Sequence, residues 1–452
     1  MLKELSIQGI VMMMINDAFR FIFIGLMENV ILRFGSVAVA GIYPFLRIST
    51  SALKNHFCEV LFGRDFVDLQ PRGENRTWRS YFKWPSEIHT ILNFNFHRIV
   101  QYEPFNRSKL VKAENILLQQ VGRDVTIERH VTPVFAHMSS IYSIFARGLT
   151  SDYDPEKTPL VLLHELGAGV GYWARNIGTF ASQRPTYALD MFGFGQSERI
   201  HGYPDCPATA EEWFVKSLEE WREAKGIEKM ILLGHRLGGF VAASYAILHP
   251  ERVRHLVLCE PWGFVQRQTE ENEDDWIIKD MPAVLRVLPW ALSKFNALDI
   301  LRVSGHFGIG PTVIACQKPN LGADICPDNP EAAYEYLHQV NADYPTGEIV
   351  YGTMSCNNWA KRPMNKRFLK LDPNVPVTFI LSDHEDQNLV KVVVETARWR
   401  QQRDQFTYIQ NIRGGTQPNV NNPEAFNNDV LVICKLVDQN VDRRDLAKVI
   451  MY

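Results

Sequence analysis

The stretch Leu232-Leu233-Gly234-His235-Arg236-Leu237-Gly238-Gly239 constrains this chain more than any other part of it. An apolar run reads as a buried strand, glycines then permit a very tight turn, and a helical pattern follows at once. Such a turn thrusts its middle side chain clear of the backbone. In enzymes built this way that residue is Ser, Cys or Asp, because the position exists to expose a nucleophile. Here it is Arg236, whose guanidinium stays protonated and cannot play that role.

Two further turns repeat the theme. Residues 158–163 form a short apolar run ending in His164-Glu165-Leu166-Gly167-Ala168-Gly169, where such folds place a loop supplying an oxyanion N–H. Residues 186–190 lead into Met191-Phe192-Gly193-Phe194-Gly195-Gln196-Ser197. Either piece alone is weak, since Gly-rich strand–helix turns also cradle phosphates. All three at these intervals predict an α/β-hydrolase fold: a mostly parallel sheet wound by helices through right-handed crossovers.

The rest of the chain fits around that frame. A helix is expected over 108–119, two weak strands through 145, and helices over 172–182, 210–225 and 238–249. Strands are expected over 229–234 and 255–259, and the rhythm resumes with strand 376–381, helix 389–403, strand 406–412 and a closing helix 423–438. Residues 262–350, acidic and of mixed helical character, read as a lid inserted between sheet strands. Domain boundaries follow as an extension over 1–106 and a hydrolase-like domain over 107–452.

The extension resists a single reading. Residues 1–50 are apolar but interrupted by Asp17, Arg20, Glu28 and Arg33, so no uncharged stretch reaches the roughly 20 residues that cross a bilayer. A helical pair packed on a core and a segment lying in a membrane interface both remain open. Residues 51–106 interleave aromatics such as Trp78, Tyr81 and Trp84 with Arg76, Arg79 and Lys83, which suits a lipid headgroup layer or a flap tucked onto the domain.

Composition closes off other classes. A formal charge of −3 lacks the basic footprint that nucleic-acid binding needs. The 7 cysteines are odd in number and scattered, with no Cys-x-x-Cys, so reduced thiols in a cytosolic compartment are expected rather than disulfides or a metal site. No residue pattern calls for a cofactor.

With those residues in view, the chain resembles the α/β-hydrolase-domain subfamily that includes the lipid-droplet co-activator of adipose triglyceride lipase and a phospholipid-directed lipase. The phrases LVLLHELGAGVGYWARN, EKMILLGH, CEPWGF and NWAKRPM carry the resemblance, over roughly residues 107–440. In that family the elbow holds Ser in the lipase and Asn in the co-activator; Arg236 stands there now. The lipase's His-x4-Asp motif maps onto Thr416 and Asn421, and the acid member onto Asn388, with Asp383 and Asp386 close by. Glu165 replaces the first oxyanion glycine, leaving Glu165, Leu166 and Leu237 as the remnant of that turn.

Neither His338 with Asp343, inside the inserted block, nor His384 restores a working set, since no nucleophile is left to serve. His235 reads as a hydrogen-bonded structural residue. Arg236 and Glu165 should face one pocket floor, where an ion pair between them, or between Arg236 and Asp383 or Asp386, would plug the acyl pocket. The alternative is that Arg236 reaches solvent.

The resemblance implies a pseudoenzyme in lipid homeostasis, acting on an adipose-type triglyceride lipase or at a lipid-droplet surface, with peripheral membrane association. Trp359, Lys361 and Arg362 read either as ordinary surface residues or as a docking patch for such a partner. It implies a cytoplasmic, droplet-associated or mitochondrial setting. The rival expectations are an ester hydrolase or lysophosphatidic acid acyltransferase, and a lipid binder without catalysis.

Overall fold

A computed structural model of the chain describes residues 105–202, 204–266, 298, 321–356, 358–383, 386–413, 415 and 417–439. The expectations for residues 1–104 and for most of 267–320, together with His384 and Thr416, lie outside these residues.

Among the described residues an eight-stranded sheet forms from β1 (Val125–Val134), β2 (Ser139–Gly148), β3 (Leu160–Leu163), β4 (Thr186–Leu189), β5 (Met230–His235), β6 (Val253–Cys259), β7 (Val377–Ser382) and β8 (Thr407–Ile412). The order is β1-β2-β4-β3-β5-β6-β7-β8. The pairs β1–β2 and β2–β4 are antiparallel, and the others are parallel. This is the α/β-hydrolase fold.

The central strands are short apolar runs because both faces are covered. In β3, Val161 and Leu163 face one core while Leu160 and Leu162 face the other. The same alternation continues through Leu232 and Leu233 of β5 and Leu256 and Val257 of β6.

Among the described residues, the helices of eight or more residues are α1 (Arg107–Leu118), α2 (Ala174–Ala181), α3 (Pro207–Ala224), α4 (Leu237–Leu248), α5 (Pro330–Ala342), α6 (Thr346–Met354), α7 (Gln387–Gln401) and α8 (Pro423–Asp438). Phe214 of α3, Phe240 of α4 and Val393 of α7 fill the first core; Phe180 of α2 and Phe426 of α8 fill the second. Burying each such ring contributes about 2 kcal/mol, which is what holds the helices to the sheet. Proline at the first turn and the Asn422 cap, which accepts from Ala425 N–H, start α8. No helix among the described residues is long and apolar enough to cross a membrane.

Polar groups under the C-terminal edge of the sheet are buried with partners. Asp190, at the end of β4, accepts N–H bonds from Val170 (2.7 Å) and Gln196 (2.6 Å). Burial, and next the charge of Glu114, push its carboxyl up to about 7. Glu114 of α1 accepts from the Tyr142 hydroxyl at 2.6 Å and the Gln196 amide at 2.7 Å. A helix that precedes the first strand is thus tied to a turn at the top of the sheet.

Candidate functional site

The site is built where β5 ends and α4 begins. Arg236 has φ 48° and ψ −105°, a conformation that costs a side-chain-bearing residue of the order of 1–3 kcal/mol. The surroundings enforce it. Its N–H donates to Cys259 O at 3.0 Å, and its carbonyl accepts from Phe240 (3.1 Å) and Trp262 (3.0 Å). The glycines around it are a packing requirement: a Cβ on Gly234 would lie 2.2 Å from Gly238 O, and one on Gly238 would lie 2.4 Å from Leu163 O. Backbone cannot yield at such distances, so the elbow closes only with glycine there.

The Arg236 side chain, 35% exposed, lies between two carboxylates. Its Nε is 3.4 Å from Glu165 Oε2, and its Nη2 is 3.1 Å from Glu260 Oε2. Glu165 stands on the turn after β3, and its Oε1 accepts from Gln417 Nε2 at 2.9 Å. Glu260 is fully buried, with its Oε2 3.6 Å from His235 Nε2. His235 is itself enclosed, stacked on Tyr172 at 5.7 Å and edge-on to Trp173 at 6.4 Å. Burial, and next the charge of Glu165, hold the Tyr172 hydroxyl well above its ordinary range, so it stays protonated.

His164 supports the same turn. Its Nδ1 donates to Glu165 O at 2.7 Å and its Nε2 accepts from Met191 N–H at 3.0 Å, an arrangement that needs the neutral ring. Burial holds its pKa down to about 4, so it is neutral near pH 7.

The remaining sequence-derived residues divide by position. Leu237 is buried, and Leu166 is partly buried against the same core. Asn421 lies near the Glu165 side of the site: its Oδ1 accepts from Gln417 N–H at 3.0 Å and its Nδ2 donates to Asp324 at 2.7 Å. Asp383, directly after β7, and Asp386 and Asn388, at the start of α7, are exposed, and Asp386 Oδ1 accepts from Asn388 N–H at 2.9 Å. His338 is buried in α5, and Asp343 forms the end of that helix. Trp359 is partly exposed, Lys361 Nζ donates to Thr353 O at 2.9 Å, and Arg362 Nη1 lies 3.1 Å from Glu211 Oε2.

Glu260 and Gln417 belong to the site, although reading the sequence did not bring them in. Glu260 follows β6, and the parallel register pairs His235 with Cys259, so Arg236 and Glu260 come next to each other at the strand ends. That adjacency is a property of the sheet, 24 residues apart in sequence, and no local spacing signals it. Among the described residues, no group of three or more His, Cys, Asp or Glu is arranged to hold a metal ion.

Comparison with known proteins agrees with this architecture. The family model described as alpha/beta hydrolase fold matches residues 158–408. The chain is 39% identical over 291 residues to the Homo sapiens 1-acylglycerol-3-phosphate O-acyltransferase ABHD5, covering 62% of this chain and 79% of that protein. It is 37% identical over 290 residues to the Homo sapiens (Lyso)-N-acylphosphatidylethanolamine lipase, covering 63% of this chain and 81% of that protein. Among solved structures, a membrane phospholipase A described as a bacterial virulence factor aligns with a TM-score of 0.50 at 17% identity, over 78% of this chain and 96% of that one, a likeness of fold. The strand order, the elbow and these relatives together place the chain in the α/β-hydrolase fold family, within the subfamily of ABHD5 and the (lyso)-N-acylphosphatidylethanolamine lipase.

Proposed function

We propose that this protein is a catalytically degenerate α/β-hydrolase that regulates neutral-lipid breakdown by binding a lipase or a lipid droplet. The observation that carries this reading is Arg236 at the elbow, held at positive φ and ion-paired to Glu165 and Glu260. A nucleophile at that point must shed a proton and attack; a guanidinium clasped by two carboxylates does neither. Acyl transfer also needs a base to deprotonate the acceptor hydroxyl. On the family resemblance the positions for base and acid hold Thr416, Asn421 and Asn388, with Asp383 and Asp386 close by.

The lipid connection is supported by the relatives, which are named for an acyltransferase acting with 1-acylglycerol-3-phosphate and for a phospholipid-type lipase. Under this reading the inserted block at 262–350 is a lid, residues 1–106 hold the domain on a lipid surface, and an adipose-type triglyceride lipase is the partner. Trp359, Lys361 and Arg362 form the docking face. Arg362 suits that role because Glu211 fixes its guanidinium while leaving it 42% exposed.

The printed activities of the two relatives favour a second reading, that of a lipid acyltransferase or hydrolase using groups other than Arg236. Purified protein separates the two. Stimulation of a partner lipase, lost on Arg362→Ala, without turnover of its own, supports the regulator; turnover of a lysophospholipid or ester supports the enzyme.

A further inference from the structure

On the far side of the sheet from α4, helices α2 and α8 border an open hollow of about 330 Å³ lined by Gln120, Arg175, Thr179, Glu424, Asn427 and Asn428. Its size is that of a small-ligand site. Arg175 gives it its character. The guanidinium is half-buried, and its Nη1 donates to two backbone carbonyls, Asp324 O at 2.7 Å and Val420 O at 3.1 Å. Those bonds fix the group without neutralising it: among the described residues no carboxylate lies within ion-pair distance of Arg175. Arg184, fully buried, is matched by Asp438 at 2.5 Å, whereas the half-buried Arg175 guanidinium, held by carbonyls, keeps its charge for an anion arriving from outside.

The neighbouring groups are arranged as donors. The Thr179 hydroxyl oxygen accepts from Asn427 Nδ2 at 3.3 Å, so its own O–H is left to donate. Asn427 Nδ2 also donates to Arg175 O at 3.0 Å, which locks the two helices and the Arg175 backbone together. The Asn428 amide stands exposed at the mouth. Arg175 Nε and Nη2, Thr179 O–H and Asn428 N–H provide donors for more than the two oxygens of a carboxylate, and a planar guanidinium fork binds phosphate oxygens well. Glu424 is on the exposed rim, where water screens its charge.

We infer that the α2–α8 hollow is a binding site for a phosphate group, either free phosphate or the phosphate of a lipid headgroup, with Arg175 as its anchor. The site is separate from the elbow and independent of whether the elbow is catalytic.

Titration calorimetry of the full chain with inorganic phosphate, and flotation with phosphatidylcholine vesicles with and without phosphatidic acid, test it. Binding of one or both probes should weaken about tenfold or more in Arg175→Gln, the scale of one charge-assisted hydrogen bond lost. Because Arg175 also ties two carbonyls, Asn428→Asp provides a second variant that leaves those bonds intact and should weaken binding by adding a negative charge at the mouth. Glu424→Gln should strengthen it, and Lys370→Ala, an exposed cation elsewhere, should leave it unchanged. Loss of phosphate binding identifies free phosphate as the ligand; loss confined to phosphatidic acid vesicles identifies the lipid headgroup. No binding of either probe, or binding indifferent to Asn428→Asp and Glu424→Gln, overturns the inference.

Discussion

The Arg236 guanidinium and the Glu260 carboxylate meet at 3.1 Å from the ends of two adjacent parallel strands, and both residues hold positive φ, 48° and 44°. Glu260 is withdrawn from solvent while Arg236 keeps a path to it, so the pair behaves differently when cut from each side. Replacing Arg236 by Ala leaves Glu260 buried, with His235 Nε2 at 3.6 Å as its remaining ionisable neighbour among the described residues. The expected loss is about 1–3 kcal/mol, below the figure for a fully buried pair because Arg236 is partly solvated. Chemical denaturation of Arg236→Ala and of the double variant with Glu260→Gln checks this, since removing the buried charge as well should recover part of the loss.

The elbow's glycines make a sharper demand. Gly238→Ala should destabilise the domain by about 3 kcal/mol or more, because the new Cβ meets the backbone carbonyl of Leu163 rather than a movable side chain. Gly226→Ala is the useful contrast: it has φ 66° but open space around it, so its cost should be confined to backbone strain of about 1 kcal/mol. Thermal melts of the two variants should separate clearly.

Buried histidine sets a pH response. His164 is held down to about 4 and His255 to about 3, each from 6.5. The unfolded chain therefore takes up protons on these rings before the folded one does, and their contribution to stability falls as pH drops from about 6.5 toward 4. Asp190 works in the opposite direction: raised from 3.8 to about 7, it contributes stability at low pH that is lost as pH rises through that window. His164→Gln keeps a donor and an acceptor without a titrating ring. Its urea midpoint should decline less between pH 6.5 and 4 than that of the natural protein, and an identical decline would show that His164 is not a neutral buried ring.

The docking residues predict a separation of stability from function. Glu211 holds Arg362 at 3.1 Å and also pairs with Arg367. Arg362→Ala should therefore cost at most about 1 kcal/mol, as a half-exposed pair whose partner keeps a second cation, while stimulation of a partner lipase falls severalfold. Equal stimulation by the variant would remove Arg362 from the interface.

Much of this architecture is legible in the sequence, and the reason is geometric. The strands of residues 160–163, 230–235 and 253–259 are apolar on both faces, so they read as buried parallel strands, and the Gly-x-Arg elbow announces its own turn. The Arg236–Glu165 contact was also within reach, because both residues follow neighbouring strands at the same end of the sheet. Glu260 was not. It enters through the register of β5 against β6, which the sequence does not state, and Gln417 enters through a loop 252 residues from Glu165. Helix ends differ by at most three residues: the helix expected from 210 begins at Pro207, where proline suits the first turn although no side chain caps it, while the closing helix runs Pro423–Asp438 as expected.

The most direct test of the central claim is esterase and lysophosphatidic acid acyltransferase assay of the purified protein beside an Arg236→Ser, Thr416→His double variant. A pseudoenzyme predicts no turnover by the natural protein, with any activity appearing only in the variant that restores a hydroxyl at the elbow and an imidazole at the base position. Robust turnover by the natural protein, unaffected by serine-directed inhibitors and by Arg236→Ala, would contradict it and place the chemistry elsewhere in the molecule.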